Sequence, residues 1–106
     1  MLHVGDAEFK GEVAEYKGVV VVDFWAEWCS PCRMFGPVFE KVAGELSEKS
    51  AVKFVKIDVD KARKTASEYQ IMSIPTVAVF RDGTLEEQSV GVLNEKKFRE
   101  FVGKYL

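Results

Sequence analysis

The chain has 106 residues, 47% of them apolar and 30% charged, and 15 basic against 17 acidic side chains leave a formal charge of −2. A chain of this size closes one hydrophobic core, so a single domain over residues 1–106 is expected. The charge is evenly mixed, with no basic stripe to hold a phosphate backbone, and no apolar run approaches the roughly 20 residues that cross a bilayer, which argues against nucleic-acid and membrane partners.

In chain order, Leu2 to Val4 reads as a short edge strand, and the opening Met1 to Asp6 has neither basic leader nor apolar export core, so a cytoplasmic location is expected. Asp6 is positioned to cap a short helix carrying Phe9, Val13 and Tyr16 and stopped by Gly18. Val19 to Trp25 is too β-branched for a helix and too evenly apolar for an exposed strand. It predicts a central strand covered on both faces. After the two cysteines, Met34, Val38, Val42 and Leu46 recur at helical spacing, broadened by Phe35 and Phe39, with a kink expected at Pro37.

Val52 to Val59 predicts a second inner strand, followed by a helix capped by Asp60 and running through Tyr69. Thr76 to Phe80 and Leu85 to Val90, joined by Arg81-Asp82-Gly83-Thr84, predict a hairpin with glycine where positive φ is needed. Asn94 starts a last helix that docks Phe98, Phe101, Val102 and Tyr105 on the sheet. Helix-linked strands pair in parallel and the hairpin adds antiparallel ones, so an α/β fold with a central mixed sheet and helices is predicted. The Lys and Glu residues of Glu40 to Lys49 and Asn94 to Lys104 read as solvated faces. Met34 and Met72 read as gap fillers, Met72 also near enough to Ser73-Ile74-Pro75 to meet a partner, Trp25 as core and His3 as a solvated terminal residue.

The chemistry concentrates in Trp28-Cys29-Ser30-Pro31-Cys32, where a buried strand hands over to a helix. Two intervening residues place both sulfurs on one face of the helix start, close enough to form a disulfide. A free thiol is only about 3% ionised at pH 7, whereas unpaired amides and the positive end of a helix dipole favour the thiolate, the reactive form. Cys29, outside the first turn, is the expected attacker; Cys32, one turn deeper and shielded by Pro31, is the expected resolving thiol. Asp23, a carboxylate within an apolar strand, is either the acceptor for the Cys32 proton, its affinity for protons raised by burial, or a residue that ends the strand and meets solvent. A structural zinc site lacks ligands, because one remote histidine accompanies the cysteine pair; only a dimer sharing four cysteines would supply them.

Asp23-Phe24-Trp25-Ala26-Glu27-Trp28-Cys29-Ser30-Pro31-Cys32, followed in order by Pro37, Ile74-Pro75, Gly83 and Gly91, resembles the thioredoxin family over nearly the whole chain. The resemblance implies the thioredoxin fold and protein-disulfide reductase activity, with no bound cofactor and re-reduction by a flavin-dependent thioredoxin reductase. It further implies that Lys56 partners Asp23, that the Ile74–Pro75 bond is cis and faces the cysteines, and that disulfide-containing proteins dock on a rim of Trp28, Ser30, Pro31, Ile74, Pro75 and Gly91. A monomer is expected. Ser30 departs from the family's usual glycine, and its hydroxyl either stabilises a thiolate or caps the helix. Two alternatives share these residues: a disulfide oxidase or isomerase with a shifted potential, and a structural subunit of another enzyme whose thiols are incidental.

Overall fold

A computed structural model describes all residues 1–106. Its elements are β1 (Leu2–His3), α1 (Asp6–Phe9), β2 (Val19–Trp25), α2 (Ser30–Lys49), β3 (Lys53–Asp58), α3 (Arg63–Glu68), β4 (Thr76–Arg81), β5 (Thr84–Val90) and α4 (Glu95–Gly103). The five strands form one sheet in the order β1-β3-β2-β4-β5, with β1, β3 and β2 mutually parallel and β4 and β5 antiparallel to their neighbours. This is the mixed α/β architecture expected from the pattern, and it is the thioredoxin fold.

β2 occupies the middle because its residues are apolar on both faces. Val20, Val22 and Phe24 join Phe9, Val13, Val55, Ile57, Ala78 and Phe80 in one buried layer, under α1 and α3. Val21 faces the other layer with Phe35, Phe39 and Val42 of α2 and Phe98, Phe101 and Val102 of α4. Side chains alternate along a strand, so Asp23 falls in register with Val21 and takes an inward slot on the α2 face.

Several local expectations are corrected. The first helix does not run unbroken to Tyr16: after Phe9 it widens into a π-helical turn over Lys10–Ala14. Asp6 does not cap it, because Gly5 is the N-cap and its amide donates to Glu8 Oε1 at 2.8 Å. The Asp6 carboxylate instead accepts from the amides of Lys64 (3.3 Å) and Thr65 (2.8 Å) and from the Thr65 hydroxyl (2.7 Å). It thereby satisfies the orphan donors of α3, the role assigned to Asp60 by its position in sequence. α3 begins later than expected, with Ala62 at its N-cap, and ends at Glu68.

Met34 and Met72 fill no gap, being 69% and 89% exposed, and the buried stripe of α2 is Cys32, Phe35, Gly36, Phe39, Val42 and Ala43. α2 continues through Pro37 as one helix. Trp25 is half-buried rather than enclosed in the core. The hairpin and the last helix match expectation. Gly83 takes φ +83 where an added Cβ would strike the Ala14 carbonyl, and Asn94 accepts from the Lys97 amide at 2.8 Å. The charged helix faces are not merely solvated: Lys41 and Arg99 both bind Glu95, and Arg99 also binds Glu45, tying α2 to α4.

Candidate functional site

β2 ends at Trp25, and the short connection to α2 delivers the cysteine pair at the helix start. Pro31 stands in the first turn, where its missing amide hydrogen leaves nothing unsatisfied. Cys29 is the N-cap residue: its backbone is extended (φ −92°, ψ 110°) and its Sγ accepts from the Cys32 amide at 3.2 Å. The role usually taken by a serine or aspartate oxygen is here played by sulfur. Cys29 and Cys32 are joined as a disulfide with Cα atoms 5.2 Å apart, inside the range a bridge tolerates.

Exposure does not distinguish the two sulfurs, since Cys29 and Cys32 are 4% and 3% exposed. Placement does, because Cys29 lies outside the helix and its Sγ is 3.7 Å from the Ile74 carbonyl oxygen. Ala26, Trp25, Val59 and Ile74 pack around the pair and hold it in apolar surroundings. Ser30 does not cap the helix, a position Cys29 already fills. Its hydroxyl is exposed and accepts from the Arg33 guanidinium at 3.3 Å, while Arg33 also donates to the Glu27 carbonyl at 2.9 Å.

The residues of the expected rim are brought to this end of the sheet by different elements. Trp28 is 68% exposed, and its Nε1 donates to Asp60 Oδ2 at 2.7 Å, which holds the indole beside the β3–α3 connection. Sequence reading missed this use of Asp60; the only available signal was a carboxylate just past the end of a strand that pairs with β2. The Ile74–Pro75 bond is cis, and the Pro75 carbonyl accepts from the Gly91 amide at 2.8 Å. Gly91 holds φ +100°, a conformation that L side chains rarely adopt, and so lies beside Pro75 with no side chain in the way.

In the strand that leads to the sulfurs, Asp23 is fully buried, and neither of its oxygens has a hydrogen-bond partner. Lys56 is its direct neighbour in β3, with Nζ 3.8 Å from Asp23 Oδ2. The same ammonium is 3.5 Å from Glu40 Oε2 and 4.9 Å from the centre of the Trp25 ring. Burial pushes the Asp23 carboxyl up to about 7, against the pull of Lys56 and with a smaller upward push from Glu40.

The link from this pair to the cysteines runs along α2. Cys32, Gly36 and Glu40 are four residues apart in succession and therefore share one stripe of the helix. A Cβ on Gly36 would stand 3.5 Å from Lys56 Nζ and 3.9 Å from Glu40 Oε2, so this stripe lies over the lysine. Cys32 is four residues, about 6 Å along the helix axis, from the point where α2 covers Lys56.

Such a pair, able to alternate between two thiols and one disulfide, with a buried ionisable carboxyl in the strand that leads to it, has the chemistry of thiol–disulfide exchange, and the chain is a thiol–disulfide oxidoreductase. The Thioredoxin family model matches residues 1–104. The chain is 46% identical over 101 residues to thioredoxin of Bacillus subtilis (strain 168), covering 95% of this chain and 93% of that protein. It is 40% identical to thioredoxin of Rickettsia typhi over 102 residues, 96% of this chain and 95% of that one. Thioredoxin of Staphylococcus epidermidis is 40% identical over 106 residues, covering all of this chain and 98% of the relative. The chain belongs to the thioredoxin family.

Proposed function

We propose that residues 1–106 act as one domain and reduce disulfides in other proteins, with Cys29 as nucleophile and Cys32 as resolving thiol. The supporting observation is the capping contact: the sulfur of Cys29 already accepts the Cys32 amide at 3.2 Å, so a thiolate formed there meets an oriented donor and the positive end of α2. In the cycle, the Cys29 thiolate attacks a substrate disulfide, forms a mixed disulfide and expels one substrate sulfur, which takes a proton from water. The Cys32 thiol passes its proton to the Asp23 carboxylate and attacks the Cys29 sulfur. The second substrate sulfur leaves, Cys29 and Cys32 end as a disulfide, and two electrons have moved to the substrate.

Asp23 suits the proton step because a carboxyl near 7 is present in both forms at neutral pH. Lys56 steadies the ionised form. Trp28, Ser30, Pro31, Ile74, Pro75 and Gly91 form the rim on which an extended substrate segment docks, through apolar contact and backbone bonding near Ile74. Thioredoxin reductase regenerates the dithiol, and the protein works as a cytoplasmic monomer without a bound cofactor. The reading also agrees with the names of the relatives, and no helix of the chain is long and apolar enough to cross a membrane.

Insulin reduction tests the assignment. With dithiothreitol as electron source, the protein should speed insulin precipitation, Cys29→Ser should abolish that acceleration, and Cys32→Ser should accumulate a mixed disulfide visible by mass spectrometry. Turnover by Cys29→Ser would reject the assignment of nucleophile.

A further inference from the structure

Glu40 stands in a run of helix charges that reads as a solvated face, yet it makes a contact of different character. Its side chain is 53% exposed, while the ammonium it meets, Lys56 Nζ at 3.5 Å, belongs to a side chain only 9% exposed. Lys56 is thus held between two carboxylates: buried Asp23 at 3.8 Å on one side and half-exposed Glu40 on the other. Gly36 leaves the space above the ammonium open, with no side chain between the helix and the lysine.

We propose that Glu40 is a positioning residue of the redox site: it shares the Lys56 ammonium with Asp23 and thereby sets how readily Asp23 gives up its proton. The proposal rests on the reading of Asp23 as proton acceptor. When Asp23 is neutral, Glu40 supplies the counter-charge that a buried ammonium requires. When Asp23 is ionised, the ammonium is divided between two anions. Both states therefore work in one direction. Removing Glu40 strips the counter-charge from the state with neutral Asp23 and frees the ammonium entirely for the state with ionised Asp23, so the ionised state is favoured.

No other charged group competes for the assignment. β3 contributes Lys56; β4 presents apolar Val77 opposite Asp23; α2 presents Gly36 and Glu40; and His3 of β1, paired in register with Lys56, stacks edge-on against Trp25 with ring centres 6.2 Å apart. Asp58, the neighbour of Trp25 in β3, spends its Oδ1 on the Asp60 amide at 2.9 Å.

The test is a carbon-13 titration of the Asp23 carboxyl in the oxidised protein, which needs no turnover. Glu40→Gln, at an exposed helix position, should lower its midpoint by roughly one pH unit. In a Lys56→Met background, where a chain of similar length fills the space, the same change should move the midpoint by less than about a third as much. An unshifted midpoint in Glu40→Gln overturns the proposal, and so does an equal shift with and without Lys56. The pH profile of insulin reduction separates the two layers of the argument. If the carboxyl midpoint falls and the profile does not follow, the proton role of Asp23 fails while the coupling to Glu40 stands.

Discussion

The two faces of the sheet treat a carboxylate in opposite ways. Under α1 and α3 the buried layer is dominated by apolar side chains, with the buried Thr65 at its edge, and Asp6 at its border is met by two amides and that hydroxyl at the start of α3. Under α2 the layer begins with a packed aromatic group, Phe35, Phe39, Phe54 and Phe98, and then, toward the cysteines, admits Asp23 with no hydrogen bond to either oxygen. Hydrogen bonds to the charged form hold the Asp6 carboxyl below the usual range, whereas burial raises that of Asp23 to about 7. One face meets its carboxylate with hydrogen bonds, and the other buries one without any, the group proposed above as acceptor of the Cys32 proton.

Phe39→Ala and Phe80→Ala take one fully buried ring from each face, and each should destabilise the protein by about 3–5 kcal/mol in urea titrations. A much smaller loss for Phe39 would show that the functional face carries little of the stability. Asp23→Asn should act in the opposite sense. Carrying a carboxyl from 3.8 to about 7 means that the native state holds a proton that the unfolded chain has released, so stability falls as pH rises from about 4 to 7 and is then level. The full penalty above pH 7 is about 4 kcal/mol, and the asparagine variant should recover up to that amount at pH 8 and flatten the pH dependence in between. Equal stability of variant and parent at pH 8 would remove the contrast between the faces.

The smallest expected effect concerns the caps. Asn94→Ala removes a local acceptor from α4 and should cost about 1 kcal/mol at any pH between 5 and 9. Asp6 supports α3 with a charge, and its lowered carboxyl means that its contribution is present above the unfolded value near 3.8 and is lost as pH falls through the lower, folded value. Melting curves in that acid range should separate Asp6→Asn from the parent less and less as pH drops.

Much of the site was legible because its signals are local. A cysteine pair at a strand-to-helix junction fixes which sulfur precedes the helix, and β-branched Val19 to Val22 fixes a central strand. Asp82-Gly83 and Asn94 state their own turn and cap within a few residues. Trp25 is half-buried rather than core because one side of its ring faces Lys56 and its Nε1 has no partner, contacts that its apolar neighbours in sequence do not reveal.

Alternation, periodicity and turn chemistry, read from the amino acids alone, determined the element order, the mixed sheet and the reactive pair, since each depends on the backbone preferences of a few adjacent residues. Tertiary structure alone decided where the carboxylates are used: Asp6 finds Thr65 across 59 positions, Trp28 finds Asp60 across 32, and Lys56 finds Glu40 across 16. A charged side chain has many admissible partners on the page of a sequence, and only the packing of α2 and α3 against the sheet brings one of them within hydrogen-bonding reach.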